Sequence, residues 1–255
     1  MSDVSIAIVT FNSERTIKKC IESIMKYIDN KSTYRLYIID NKSTDGTLAI
    51  VKSISDEITI IINEENVGFG AGHNKLLSIL KSQYHLVINP DIVIENNCIL
   101  EMTDFMNSNA NIGLLSPLIK YPNGNLQYLC KRNPTFFDLF IRIAAPKLFI
   151  KRHHYFQMRN TGYDKEFEIE YATGCFMFFR TEIFKKLQGF DEHFFLYLED
   201  ADITRRVNEI SRTVFYPYNY VVHEWQRGSH KSLRLMWIDV QSAFYYFRKW
   251  GFRLY

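Results

Sequence analysis

Short apolar runs and helix-spaced apolar stripes take turns along the first ninety residues. Val4 to Val9 is a run closed by Thr10, Phe11, Asn12 and Ser13, and Ile17, Cys20, Ile21, Ile24 and Met25 then recur at helical spacing. A strand, a loop and an amphipathic helix are predicted. Tyr34 to Ile39 repeats the pattern, ending in Asp40-Asn41-Lys42-Ser43-Thr44-Asp45-Gly46 before a helix through Leu48, Val51 and Ile54, with Thr44 and Asp45 as candidate caps. Ile58 to Ile62 reads as a third strand, and Asn66 to Gly72 opens a helix carrying Leu76, Leu77 and Leu80. The uncharged stretch Leu86 to Ile88 reads as an interior parallel strand. Strands alternating with helices in this way predict βαβ units with right-handed crossovers.

Farther on, the pattern predicts a helix from Asn97 to Met106, a strand from Gly113 to Leu118, and a hairpin turn at Tyr121-Pro122-Asn123-Gly124-Asn125 whose Asn-Gly supplies positive φ angles. Thr135 to Ile150 is apolar and aromatic, with Phe136, Phe137, Phe140, Ile141 and Ala144 expected on one side and Lys147, Lys151 and Arg152 following. An interfacial membrane helix and a core or dimer helix broken at Pro146 both fit; Asp138 and Pro146 favour the second. A strand is expected over Tyr171 to Phe179, a short helix over Thr181 to Leu187, and two late strand segments at Val214 to Tyr216 and Val221 to His223. Leu233, Met236, Trp237, Val240, Phe244 and Phe247 give a C-terminal amphipathic helix flanked by Arg234, Arg248 and Lys249.

Composition narrows the class. A hydrophobic fraction of 47% and a charged fraction of 23% in 255 residues are those of an ordinary globular protein, which argues against disorder. A net charge of +3 suits anionic ligands and falls short of a nucleic-acid-binding signature. Cys20, Cys98, Cys130 and Cys175 contain no Cys-x-x-Cys pair, so neither a zinc site nor a disulfide framework is expected. With no signal-peptide pattern and no stretch of about 18 apolar residues, a cytoplasmic location is expected. The loop Gly68-Phe69-Gly70-Ala71-Gly72 lacks the spacing of a dinucleotide fingerprint, and no Gly-Lys-Ser/Thr follows it for a P-loop.

Candidate chemistry begins at Val87-Ile88-Asn89-Pro90-Asp91, where a buried strand ends in a carboxylate. Ligands of open α/β sheets bind beyond the carboxyl ends of the strands, and a carboxylate there can hold a divalent cation against phosphates. An ordinary turn is the competing reading of Asn-Pro-Asp. Glu199, Asp200 and Asp202 cluster before Arg205 and Arg206. Helix-terminal charge pairing accounts for Glu199 and Asp202, and Asp200, beside Leu196 and Leu198, is left as a candidate base. His223 at a strand end could complete a divalent site if it reaches the same rim.

Taken in order, Ile8-Val9-Thr10-Phe11-Asn12, Ile38 to Gly46, Asn66-Val67-Gly68-Phe69-Gly70, Asn89-Pro90-Asp91, Thr173-Gly174, Gly189-Phe190-Asp191-Glu192 to Glu199-Asp200-Ala201-Asp202, and His223 resemble the family 2 glycosyltransferases, in particular their bacterial rhamnosyltransferase branch. The resemblance covers nearly the whole chain. It implies an α/β GT-A fold: a Rossmann-like, mixed, mostly parallel sheet flanked by helices, with a C-terminal helical extension on the acceptor side. One domain is expected, residues 1–118 forming the nucleotide-sugar-binding half and 119–255 the acceptor half.

Residue by residue, the resemblance implies that Thr10, Asn12 and Asp40 line the base and ribose pocket, and that Asn66, Gly68 and Asn74 lie along the nucleotide and donor sugar, with Asn89 and Gly174 also on the donor. Asp91 matches the last acid of the family's Asp-x-Asp motif, whose first position is Asn89 here. A divalent cation, Mg²⁺ or Mn²⁺, would then rest on Asp91, His223, the donor diphosphate and water, binding weakly without nucleotide. Asp200 matches the catalytic base, with Glu199 as the second choice. Tyr197 and Trp225 are expected to meet acceptor sugars. The implied activity is inverting, metal-dependent transfer of a sugar, with dTDP-L-rhamnose the favoured donor. The expected acceptor is a lipid-linked oligosaccharide of an O-antigen or capsule, at the cytoplasmic face of the membrane. A UDP- or GDP-sugar donor, a non-catalytic sugar-nucleotide or glycan-binding module, and a nucleotidyltransferase are the competing readings; the last lacks a basic glycine-rich loop near the first strand.

Overall fold

The computed structural model describes residues 3–28, 34–144, 148–224 and 233–255. Its first strands are β1 (Val4–Thr10), β2 (Tyr34–Asp40), β3 (Thr59–Ile62) and β4 (Tyr84–Ile88), separated by helices α1 (Ile17–Tyr27), α2 (Thr47–Ile54) and α3 (Phe69–Asn74). Then come β5 (Ile92–Val93), α4 (Cys98–Ser108), β6 (Ile112–Lys120), β7 (Cys130–Lys131), α5 (Phe136–Ala144) and α6 (Ile150–Phe156). The remainder is β8 (Phe167–Glu168), β9 (Tyr171–Ala172), β10 (Phe176–Arg180), α7 (Thr181–Lys186), α8 (Glu199–Ile210), β11 (Arg212–His223) and α9 (Leu233–Trp250).

Among the described residues the main sheet runs β3-β2-β1-β4-β10-β6-β11-β5, with β8 added beside β11. Strands β1 to β4, β6 and β11 point one way, while β5, β8 and β10 run against them. This is the mixed, mostly parallel sheet that was expected. Strand β4 is parallel to β1 on one side and antiparallel to β10 on the other. The order reverses at β1, between β2 and β4, so a crevice opens beyond Thr10, Asp40 and Ile88.

The strands are buried on both faces, and their alternating side chains feed two cores. Val4, Ile6 and Ile8, with Leu86, Ile88, Phe176 and Phe178, pack under α1, α2 and α4. Ala7, Tyr37, Ile39, Val87, Met177 and Phe179 pack on the opposite side with Phe184, Ile203 and Val207 of α7 and α8. A smaller cluster built from Leu139, Phe156, Tyr171, Phe194, Leu198, Ala201 and Tyr246 joins α5, α6 and α9 to the sheet.

Several local expectations need correction. The strand foreseen over Tyr171 to Phe179 breaks into β9 and β10 because Thr173 turns its hydroxyl to the Leu129 carbonyl (2.7 Å) and the Gly174 N–H turns to Asp200. The two late strand segments are one strand, β11, irregular between Tyr216 and Tyr220. In the Tyr121–Asn125 turn only Gly124 has positive φ (+82°), so its first central residues keep ordinary angles. Helix α5 turns Leu139 and Ile141 inward and leaves Phe136 and Phe140 exposed, which splits the face drawn for it. Pro146 and Lys147 lie outside the described residues.

Helix α9 departs from the usual arrangement most of all. It buries Asp239, Ser242 and Tyr246, while Leu233, Met236, Trp237, Val240 and Phe244 face solvent. Polar contacts hold the inner side: Ser242 donates to the Leu196 carbonyl (2.8 Å), and Arg142 reaches Asp239 at 2.6 Å. No helix among the described residues is long and apolar enough to cross a membrane.

Candidate active site

A cleft of about 850 Å³ lies over the crevice at the ends of β1, β2 and β4. Phe11, Asn12, Asn41, Asp45, Asn66 and Gly68 form one part of its lining, Asn89, Pro90 and Asp91 another, and Phe195, Leu196, Arg234, Leu235 and Ile238 a third. The N-terminal turns of α9 thus border the cleft with a guanidinium. Sequence reading placed Arg234 only as a flanking base.

Thr10 and Asp40 are fully buried beneath the cleft floor. Asp40 Oδ1 accepts from the hydroxyls of Thr10 (2.8 Å) and Ser43 (2.6 Å), and Oδ2 accepts from the Ser43 N–H (2.8 Å). The β1–α1 and β2–α2 loops are stitched above it, since the Asn12 N–H donates to Ser43 Oγ (2.9 Å) and Asn12 Oδ1 accepts from the Thr44 N–H (2.8 Å). Of the two residues named as caps for α2, Asp45 accepts from the Thr47 N–H (3.0 Å), while Thr44 is engaged with Asn12.

Gly68 is a backbone requirement. Its φ is +91°, and a Cβ there would stand 2.2 Å from the Phe195 carbonyl oxygen, the atom that accepts from the Phe69 N–H at 3.0 Å. Asn66 Oδ1 accepts from the Gly68 N–H, and Asn41 donates to the Gly68 carbonyl. Asn74 does not line the cleft; it braces the Phe190 loop through both Phe190 main-chain groups (2.8 and 2.9 Å) and Glu192.

Asp91 lies where β4 has ended and turned, with the Asn89 N–H held by the Cys175 carbonyl (2.9 Å). His223, at the end of β11, comes to the same rim: its Nε2 is 3.4 Å from Asp91 Oδ1. Gln127 sets the tautomer. Its Nε2 donates to the carbonyls of His223 (2.8 Å) and Lys120 (3.3 Å), so its Oε1 accepts from His223 Nδ1–H (3.0 Å). With Nδ1 so held, Nε2 is the imidazole nitrogen turned toward Asp91, whose Oδ1 is buried with no hydrogen bond. In the neutral ring that nitrogen carries a lone pair, so imidazole and carboxylate together offer a divalent cation two ligands. A carboxylate and an imidazole suit Mn²⁺ or Mg²⁺ when phosphate and water complete the shell, and a donor fixed by a neighbouring amide is a usual support for such a ligand. No group of three or more metal-ligating side chains occurs among the described residues.

Asp200 is buried on the first turn of α8. Its Oδ2 accepts from the Gly174 N–H (2.9 Å) and its Oδ1 from the Ala201 N–H (3.0 Å). A Cβ on Gly174 would meet the Asp200 Cβ at 3.3 Å, so the β9–β10 turn approaches α8 closely. Burial pushes the thiol of Cys175 far up, and the charges of Asp91 and then Asp200 add to the rise. Tyr197 and Leu198, just before the helix, hold left-handed φ angles of 71° and 66°. Such strain over two bulky residues is stored where the fold over-determines a position. Tyr197 is half-buried there, and Trp225 lies outside the described residues.

Glu199 has a different environment from the one expected. Among the described residues it makes no ion pair with Arg205 or Arg206, and its Oε2 is buried without a partner. Burial first, and then the charge of Asp200, push its carboxyl well above the usual range. Asp202 does pair with Arg206, at 2.8 Å. Two neighbours of Asp200 escaped sequence reading altogether. Tyr171 is raised well above its usual range by burial and the Asp200 charge, and Lys131 stands 4.4 Å over the Tyr171 ring from the paired strand. Nothing in their spacing singles them out, because strand pairing alone brings them to the base.

The model of "Glycosyl transferase family 2" matches residues 5–188. The chain is 22% identical over 237 residues to the N-acetylglucosaminyl-diphospho-decaprenol L-rhamnosyltransferase of Mycobacterium tuberculosis, covering 88% of this chain and 76% of that protein. It is 23% identical over 233 residues to rhamnosyltransferase WbbL of Escherichia coli, covering 86% and 83%. A poly(ribitol-phosphate) beta-glucosyltransferase of Bacillus spizizenii is 30% identical over 112 residues, 42% of this chain and only 18% of that one. Among solved structures, S. aureus TarS 1-349 superposes with a TM-score of 0.64 at 18% identity, over 94% of this chain and 65% of that one. The mannosyltransferase PcManGT of Pyrobaculum calidifontis, solved with GDP-Man and Mn²⁺, gives 0.64 at 18% identity, over 90% and 59%. These likenesses identify the fold as GT-A, and the family match, which spans β1 through α7 and so the Asn89-Pro90-Asp91 rim, means that the chain belongs to glycosyl transferase family 2.

Proposed function

We propose that this family 2 glycosyltransferase moves L-rhamnose from dTDP-L-rhamnose to a hydroxyl of a lipid-linked oligosaccharide, with inversion, at the cytoplasmic face of the membrane. The observation that carries the reading is the Asp91–His223 contact at the strand ends together with a second buried carboxylate, Asp200, held by the Gly174 and Ala201 N–H groups. Binding alone has no use for a buried carboxylate aimed as a base in addition to the metal-binding pair. The rhamnosyl donor is supported by the two long alignments with rhamnosyltransferases.

In the reaction the bond from the anomeric carbon to the diphosphate oxygen breaks as an acceptor hydroxyl attacks from the opposite face. Asp91 and His223 would hold the divalent cation, which supplies Lewis-acid stabilisation of the departing diphosphate. Arg234 adds a positive charge to the cleft wall. Asp200, aimed by the Gly174 and Ala201 N–H groups, takes the proton of the acceptor hydroxyl. Glu199, pushed toward its protonated form, spares the base a second adjacent negative charge. Residues 1–118 would supply the nucleotide side and 119–255 most of the acceptor side, with Tyr197 and Trp225 meeting acceptor sugars.

Two measurements test this. In a thermal-shift panel of dTDP, UDP and GDP with and without Mn²⁺, the largest metal-dependent shift is expected for dTDP, with its loss in Asp91→Ala. A larger shift with UDP or GDP replaces the donor and keeps the enzyme. In a transfer assay Asp200→Asn should lower kcat by about 10²–10⁴-fold with the nucleotide shift retained. Undiminished transfer by that variant would remove Asp200 as the base.

A further inference from the structure

The outward apolar side of α9 is continuous with α5 and the C-terminal residues. Phe136 lies 6.4 Å from Phe247 and 5.5 Å from Phe252, ring centre to ring centre. The tail is fixed there by its main chain, because the Phe136 and Phe137 N–H groups donate to the carbonyls of Arg253 and Leu254 (2.8 and 3.2 Å). The result is one built face, with Trp237 (63% exposed), Phe244 (72%) and Phe252 (63%) outermost and a groove of about 600 Å³ between α5 and α9. Contiguous apolar surface of this kind marks an interaction site.

Charge says what covers it. In α5, α6, α9 and the tail, the described acidic residues are Asp138 and Asp239 alone. Both are buried and neutralised, Asp138 by Arg152 at 2.6 Å and Asp239 by Arg142 at 2.6 Å. Lys151, Arg234, Arg248 and Arg253 of the same elements are exposed, and Arg248 borders the groove itself. A symmetric contact with a second copy would set these cations against their own equivalents. An apolar centre with a purely cationic margin instead matches an anionic lipid surface, where aromatic side chains enter the headgroup boundary and basic groups meet the phosphates.

We infer that the α5–α9–tail face docks on an anionic bilayer. The first turns of α9 that line the cleft with Arg234, Leu235 and Ile238 belong to the helix whose other side carries Trp237 and Phe244, so docking would bring the cleft mouth to the bilayer boundary. The inference deepens the lipid-linked acceptor reading and rests on it for its purpose, whereas its test needs no transfer reaction.

The whole chain would be sedimented with vesicles of phosphatidylcholine alone and of phosphatidylcholine with about one third phosphatidylglycerol, at low and high salt. Binding is expected to the anionic vesicles only, weakening with salt. Trp237→Glu/Phe244→Glu should reduce it by about tenfold or more with the melting temperature and the nucleotide shift unchanged. Arg248→Glu/Arg253→Glu, which leaves the apolar patch intact, should reduce it likewise and serves if the first variant fails to fold. Absence of wild-type binding, or binding by a folded variant equal to wild type, overturns the inference. So does a wild-type dimer that ignores vesicles and that Trp237→Glu/Phe244→Glu converts to monomer. Loss of vesicle binding with nucleotide shifts intact would leave the donor-site reading standing, and the converse would leave the docking face standing.

Discussion

Gln127 decides which nitrogen of His223 faces Asp91, although it lies in a loop with no recognisable motif. Its side-chain bonds to the His223 carbonyl and Nδ1 fix both the ring and its tautomer. Gln127→Leu is therefore expected to raise the Mn²⁺ concentration needed for half-maximal nucleotide binding by about 10–100-fold, readable by calorimetry with dTDP present. His73 gives an opposite kind of prediction. It is fully buried between Phe69 and Phe190, and neither ring nitrogen has a hydrogen bond. A buried polar group left unsatisfied costs about 1–3 kcal/mol, so His73→Leu should raise the urea midpoint. The carboxylates Asp91 and Asp200 and the imidazole of His223 were legible as candidates because each ends or begins an element that sequence periodicity can find. Lys131, Tyr171 and Gln127 were not, since their importance comes from strand pairing and amide orientation, which leave no local pattern.

At the scale of elements, the first four strands could be read because each is apolar on both faces and bounded by polar loops. Helix α9 was legible in its period and not in its direction: a hydrophobic stripe says that one side differs, and only the neighbours say which side they take. What holds its far end is a charged knot. Asp202, fully buried, accepts from Arg206 (2.8 Å), Lys249 (2.7 Å) and the Trp250 indole N–H (2.8 Å), while Lys249 also reaches Asp191 (2.7 Å). Removing Asp202 takes away the carboxylate that Arg206 meets and the acceptor of the Trp250 indole, and leaves Lys249 to Asp191 alone. Asp202→Ala should accordingly cost about 3–5 kcal/mol in urea unfolding.

For the molecule as a whole, buried titratable groups set the response to acid. Burial lowers His73 well below its usual range and His85 to about 3, so both stay neutral in the native state while the unfolded chain protonates them below about 6.5. That linkage removes stability as pH falls. Glu199 acts the other way, because its raised carboxyl already holds a proton when the unfolded one, near 4.5, does not. Between about pH 6.5 and 4.5 the two histidines favour the unfolded chain, and Glu199 offsets part of that. A net loss of stability is expected in urea midpoints as pH falls across that window, and His73→Leu should flatten it. Below it, Asp191, held low by Lys249 and His193 despite its burial, adds to the loss once the unfolded carboxylate protonates near 3.8. The α/β class and the position of the cleft could be inferred from strand–helix alternation. The insertion of β10 between β4 and β6 could not, because antiparallel pairing partners roughly ninety residues apart carry no periodic signal.

That insertion bears on how the chain is made. Until residue 180 has left the ribosome, β4 and β6 lack the strand that joins them, and each presents an open row of main-chain donors and acceptors. The nascent chain must carry two adhesive edges through the time it takes to synthesise the intervening segment, about 5–20 s at ordinary elongation rates. Shielding those edges during synthesis is then expected to raise the share of chain that reaches the native state.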